Sequence, residues 1–428
     1  MKRYETISSE KVKIDKLIPG GQGIGTLADG KKVMFWNALP SETVTEFTPT
    51  KIKSRYIEAI ATEITDPSPH RIEPRDACYL STSPWQIMDY IYELEQKSLL
   101  IEEVFQTCFF GHACAHLSSQ GALRYLPSLR SRVPRGERRP SENVLKNTFE
   151  KPLTDNNDFY YRNKMEYSLY WDNDENKIRL AFHQRGSHYK IPITQSSLER
   201  PEIFQKATEI INNLNSQHAE ARRYQSLLLR CNQQGIVSGG LYENGQPHPN
   251  FKPLTDTILG YEYSYSPNGF FQINLPVYEM ALTEIKKHIT TDKVLDLYAG
   301  VGTIGLSVAR DHQLTLVEVD KSAYTELVKN CQASNAYAVL SKSEDALDFI
   351  TSDTTVILDP PRAGCHTKLL DKLLEVNPPT IIYLSCNPAT QARDIAILQQ
   401  KYHITHLQPF NFFPRTPHIE NLIILEQQ

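Results

Sequence analysis

Cysteine is scarce and unclustered in this chain. Seven of its 428 residues are Cys, at positions 78, 108, 114, 231, 331, 365 and 386. An odd, scattered set excludes a disulfide framework and predicts a reducing, cytoplasmic setting. Long apolar runs are also missing. No stretch reaches the ~18 consecutive apolar residues of a membrane span. The opening MKRYETISSEK lacks the apolar centre of a signal peptide, so no membrane partner is expected. Positive charge is not in excess either. The formal net charge is −4, which gives no global sign of nucleic acid. Internal repeats and low-complexity tracts are absent.

What is present is an ordinary globular composition, with 40% hydrophobic and 22% charged residues. At ~150 residues per domain the length predicts two to four domains. The charge is uneven. From Thr257 onward, Asp and Glu outnumber Lys and Arg 19 to 13. Residues 120–146 carry 7 basic and 2 acidic side chains. Such a segment is either an arm that meets phosphates or a solvated loop.

Residues 8–65 read as five short strands punctuated by PGGQGIG, ADGKK and a proline turn. With no room for a long helix, they predict a small OB-like barrel. A proline-rich linker follows (65–78). A helix is expected over 85–107, with Ile87, Tyr90, Ile91, Leu94 and Leu99 as its apolar stripe. Its apolar residues are expected to pack the space beside it. Strands and an amphipathic helix alternate irregularly through the middle of the chain. From about residue 276 the pattern becomes helix, strand, helix, strand. The strands KVLDL, LTLVEVD, TTVILDPPR and TIIYLSCNP are nearly continuously apolar. That predicts a parallel sheet covered on both faces, with ligands at the strands' carboxyl ends.

Four motifs fall at those ends. DLYAGVGTIG places Gly300, Gly302 and Gly305 between a strand and a helix, and Glu318 ends the next strand. The glycines admit a ligand close to the backbone and the carboxylate suits two ribose hydroxyls. Oxidoreductases using a nicotinamide dinucleotide and methyltransferases using S-adenosylmethionine share this layout. LDPPRAGC puts Asp359 beside a rigid proline exit that suits a planar ring. YLSCNP puts Cys386 on the same rim, either as a nucleophile or as a packed core thiol. PHIENLIIL leads through Glu420 into the last strand, where a carboxylate can act as a base.

Together the motifs resemble the RNA uracil-C5 methyltransferases that make 5-methyluridine. The resemblance runs from GGQGIGTLADGKKVMFWNALPSETV through YYRNKMEYSL and SPNGFFQIN to the four motifs above, in the family's order. It implies an α/β protein in three parts: a TRAM domain (1–65), a central α+β RNA-binding domain (66–262) and a Rossmann-like methyltransferase domain (263–428). It implies S-adenosylmethionine as cofactor, bound by Gln272, Tyr298, Gly300, Gly302, Thr303, Glu318 and Asp359. It implies Cys386 as the nucleophile that adds to uracil C6, and Glu420 as the base that removes the C5 proton.

The implied partner is RNA, 23S rRNA by the TRAM-bearing pattern and transfer RNA as the alternative. A monomer is expected. Arg162 and Lys164 are RNA contacts or solvated strand charges. Many TRAM-bearing relatives hold a [4Fe–4S] cluster through four cysteines, three of them just past the linker. Here Cys78 stands alone in EPRDACYLSTSPW, so no iron–sulfur cluster is expected. Segment 115–146 departs from the family as an insertion. A catalytically silent RNA-binding protein or chaperone is the alternative from another class. An exocyclic N-methyltransferase would leave Cys386 without a task.

Overall fold

A computed structural model describes residues 6–7, 10–110, 150–219, 223–243, 245–248 and 251–428. The basic segment 115–146 lies outside the described residues. The chain forms two compact units.

The first unit comprises residues 1–152, 184–188 and 415–418. Strands β1 (Val12–Leu17), β2 (Gly23–Thr26), β3 (Lys32–Trp36), β4 (Thr43–Ile52) and β5 (Tyr56–Thr65) close a barrel in the order β1-β2-β3-β5-β4. Alternating residues turn inward along each strand, so Val12, Ile14, Val33, Phe35, Val44, Phe47 and Ala59 make one core. This is the small barrel expected from the sequence.

The helix after the linker, α1, spans Tyr90–Phe110. Its register differs from the expected stripe: Ile91 is 67% exposed and Leu99 55% exposed. The buried face carries Glu93, Gln96 and Lys97, with Ile101 and Phe105 further along. Lys97 Nζ lies 2.9 Å from Glu93 Oε1, and both side chains are fully buried. The Arg415 backbone N–H donates to both Glu93 oxygens, at 3.0 and 3.1 Å. The Arg415 guanidinium donates to the Met88 carbonyl at 2.6 Å. Polar residues take the inward face because these partners satisfy them there, which an apolar count along one helix does not register.

Next to this cluster, segment 75–86 occupies the place where cluster-binding relatives carry cysteines. Gln86 knits it together. Its amide donates to Asp76 Oδ2 at 2.8 Å and to Ser83 Oγ at 2.7 Å. Its carbonyl oxygen accepts from the Arg75 and Asp76 N–H groups. One thiol, Cys78, and a hydrogen-bonded Gln–Asp–Ser set do not fit an iron–sulfur cluster.

The second unit comprises residues 153–183, 189–414 and 419–428. A six-stranded antiparallel sheet contains β6 (Lys164–Asp172), β7 (Lys177–His183), β8 (Lys190–Pro192), β9 (Tyr224–Cys231), β10 (Val237–Glu243) and β11 (Gln246–His248). Helix α2 (Pro201–Ser216) packs on it, and the hairpin β12 (Leu254–Ile258) and β13 (Tyr261–Tyr265) follows.

Helix α3 (Leu275–Lys286) opens the seven-stranded sheet. Its strands are β14 (Lys293–Leu297), β15 (Gln313–Glu318), β16 (Tyr337–Leu340), β17 (Thr354–Leu358), β18 (Thr380–Ser385), β19 (Tyr402–Phe410) and β20 (Glu420–Gln427). The order is β16-β15-β14-β17-β18-β20-β19. Helices α4 (Thr303–Val308), α5 (Lys321–Cys331), α6 (Thr367–Val376) and α7 (Pro388–Leu398) connect the strands. Strands β14–β18 are parallel, and β20 runs antiparallel to both β18 and β19. The expected α/β class is thus realised, with an antiparallel edge added. Among the described residues, no helix is long and apolar enough to cross a membrane.

Candidate active site

The antiparallel insertion of β20 brings the candidate residues to one rim. Parallel strands β14, β15, β17 and β18 deliver their carboxyl ends there. β20 runs the other way and delivers its first residue. Ser385 pairs with Asn421 in the β18–β20 ladder. Cys386 directly follows Ser385 and Glu420 directly precedes Asn421, so both stand at the same end of the β18–β20 pair. Gln391 of α7 locks this register. Its amide donates to the Tyr383 carbonyl at 2.9 Å and the Asn421 carbonyl at 3.0 Å, and it accepts from Asn421 Nδ2 at 2.8 Å.

The glycine turn is shaped from below. Tyr298, the first residue after β14, has φ +66°, a strained value for a bulky residue. Gly302 has φ +89°, and an added Cβ would lie 2.6 Å from Leu327 Cδ1. A Cβ on Gly305 would lie 2.8 Å from Asp296 Oδ2, the atom that accepts the Gly305 N–H at 2.8 Å. These two glycines are therefore required by packing within the protein. Gly300 instead faces open space, and its N–H donates to Glu318 Oε2 at 2.8 Å. Glu318 Oε1 accepts from the Val319 and Asp320 N–H groups at 2.8 and 2.6 Å. The carboxylate is thus fixed beside the turn, with lone pairs left for a ligand. Thr303 and Gln272 are buried, and Asn163 Nδ2 holds the Gln272 carbonyl at 3.0 Å.

The electrostatics are lopsided. Burial pushes Asp296 up to about 8, assisted by the Asp359 and Glu318 charges. Burial pushes Asp359 up to about 7. Glu420 is raised well above the usual carboxylate range, by burial and then by Asp359. The Cys386 thiol is pushed up to about 11 by burial and by Glu420 and Asp359. Asp296 Oδ1 and Glu420 Oε2 are buried without a hydrogen-bond partner. This surplus of buried acid suits a cationic ligand, and the sulfonium of S-adenosylmethionine is one.

Arg362 opposes these shifts at both Cys386 and Glu420. Sequence reasoning quoted its motif and assigned it no role. The signal was available: a guanidinium three residues past the strand-end Asp359. Its loop is bolted to the Cys386 turn, because the Arg362 carbonyl accepts from Asn387 Nδ2 at 2.9 Å and Thr390 Oγ1 at 3.2 Å. Lys164 is not a solvated strand charge. Its ammonium donates to the Asn268 and Gly269 carbonyls at 3.2 and 3.1 Å, and Arg162 Nε donates to the Lys164 carbonyl at 3.0 Å. Lys164 thereby braces the loop that presents Phe270, 71% exposed.

Residues 344–428, which include Asp359, Cys386 and Glu420, match the model of the tRNA (uracil-5-)-methyltransferase family. Over this stretch the chain is similar to RNA uracil-C5 methyltransferases. An RNA methyltransferase of Bacillus cereus, itself uncharacterized, is 25% identical over 97% of this chain and 96% of its own length. One of Nanoarchaeum equitans is 27% identical over 97% of this chain and 93% of its own. In fold, the chain is similar to Pyrococcus abyssi tRNA (uracil-54, C5)-methyltransferase, solved with S-adenosyl-L-homocysteine. The TM-score is 0.70 at 21% identity, covering 97% of this chain and all of that one. These similarities together support an RNA (uracil-C5)-methyltransferase of the S-adenosylmethionine-dependent class.

Proposed function

We propose that the protein methylates C5 of a uridine in structured RNA through a transient bond between Cys386 and C6 of the base. The observation that carries this reading is that Cys386, just past β18, and Glu420, first in β20, share one end of this strand pair, with the Glu420 and Asp359 charges both acting on the thiol.

S-adenosylmethionine supplies an electrophilic methyl group. Gly300, Gly302, Thr303, Glu318, Gln272, Tyr298 and Asp359 would hold the cofactor, with the Glu318 carboxylate offering acceptors for hydroxyl groups. The other steps belong to the chain's residues and the base. Cys386 Sγ, as thiolate, bonds to C6, and the C5=C6 electron pair moves toward O4. C5, now electron-rich, would form a bond to the methyl carbon as the S–CH3 bond breaks, its electron pair staying on sulfur and S-adenosylhomocysteine leaving as the neutral thioether. Glu420 accepts the C5 proton, the double bond reforms, and the C6–S bond breaks to return the thiolate. Arg362 stabilises the thiolate before attack. A cation bound among the surplus carboxylates lowers the thiol and Glu420 values together, so cofactor binding prepares both groups. The uridine leaves its stack to reach the rim, and Phe270 offers a face for a neighbouring base.

The proposed substrate is 23S rRNA, in a cytoplasmic setting. The transfer RNA T-loop is a second reading, favoured by the description of the matching family and by the tRNA enzyme of P. abyssi. Mass mapping of 5-methyluridine in both RNAs from a deletion strain separates them. For the chemistry, RNA carrying 5-fluorouridine plus cofactor should trap a covalent complex, because C5 then has no proton to lose. Glu420→Gln should trap ordinary RNA in the same way. A complex that persists in Cys386→Ala would overturn the assignment.

A further inference from the structure

Among the described residues, one group of metal-ligating side chains lies away from the rim: Glu284, His288 and His406. Glu284 is near the end of α3, and His288 follows one turn later on the same face. His406 comes from β19. A register shift between Ile404 and His406 marks a β-bulge there, a device that re-aims side chains. Glu284 Oε1 lies 3.6 Å from His288 Nε2 and 3.4 Å from His406 Nε2. All three donor atoms lie within 4.8 Å of one another. The second carboxylate oxygen is already engaged, 2.6 Å from Lys287 Nζ. His288 Nε2 is buried and makes no hydrogen bond.

We propose that these three residues form a divalent transition-metal site, with Zn2+ as the best-matched ion. Tetrahedral Zn2+ sits ~2.0–2.1 Å from imidazole nitrogen and carboxylate oxygen, which sets its donors roughly 3.3–3.4 Å apart. Two of the three separations are close to that value already. Two imidazoles and one carboxylate suit zinc and its neighbours rather than Mg2+ or Ca2+, and water completes the fourth position. The site is not part of methyl transfer. His406 pairs with Ile424, whereas Glu420 pairs with Phe410 at the rim. Four ladder steps separate them, roughly 13 Å. The ion instead fastens the end of α3 to edge strand β19.

The test uses the full chain, stripped with chelator and titrated with Zn2+ by calorimetry. One equivalent should bind, and saturation should raise the melting temperature by several degrees. The double variant His288→Gln/His406→Gln should bind at least tenfold more weakly. With Co2+ the wild-type chain should show visible ligand-field bands and no thiolate-to-cobalt charge-transfer band. Absence of a bound equivalent, unchanged affinity in the double variant, or a thiolate band would each overturn the site. Should the double variant fold poorly, Glu284→Gln and the wild-type Co2+ spectrum decide.

Discussion

The two units each bury a cluster of charge, and they balance it differently. In the first, Glu93 is answered by Lys97 and by the Arg415 backbone, so the charges close on themselves. In the second, Asp359 and Glu420 act on Cys386, Asp296 is raised beside Asp359, and Arg362 is set against Cys386 and Glu420. A cluster that satisfies itself holds chain segments together. One that leaves carboxylates unsatisfied has its values displaced and needs a ligand of opposite charge to settle them.

The largest effect that sharpens this contrast is catalytic. Cys386→Ala should lower methylation by roughly four orders of magnitude or more, while thermal unfolding stays near wild type. A comparable loss of fold would make the thiol a packing residue. Next is Lys97→Met, which strands Glu93 in the interior. It should cost about 3–5 kcal/mol in urea unfolding, and most of that should return in Glu93→Leu/Lys97→Met. A silent Lys97→Met would erase the distinction between the clusters.

Asp296→Asn tests the other side through pH. The folded value of Asp296 is raised to about 8, above ~3.9 for an unfolded Asp. The folded chain therefore holds an extra proton between those values, and stability falls as pH rises through this window. Removing the titration should flatten that decline and stabilise the protein by about 2 kcal/mol at pH 8. A pH slope unchanged in the variant would show that Asp296 is not strained in this way. The smallest effect is expected for Phe270→Ala, which removes a stacking face. It should lower kcat/KM for RNA about tenfold without altering cofactor binding. Equal loss of both would place Phe270 in the cofactor's pocket.

Much of the second unit's sheet was legible because β14, β17 and β18 have mostly apolar, almost wholly buried centres, as strands covered on both faces do. The glycine turn was legible because Gly302 and Gly305 have no room for a side chain. β19 was not read as a strand, since YHITHLQPF mixes polar and apolar residues on a sheet edge. The face of α1 was misread for a related reason. Ile91 and Leu99 suggested an apolar stripe, while the burial of Glu93 depends on Arg415, 322 residues away.

The sequence by itself determined the strands' burial, the tight turn after β14 and the chemical types available at the strand ends, because these follow from side-chain volume, polarity and local backbone freedom. Tertiary structure alone decided that β20 inserts antiparallel beside β18, which sets Glu420 at the same end of the pair as Cys386. It also decided which charges are paired and which are left waiting. Strand order and long-range charge pairing depend on contacts between distant segments, and no local pattern encodes them.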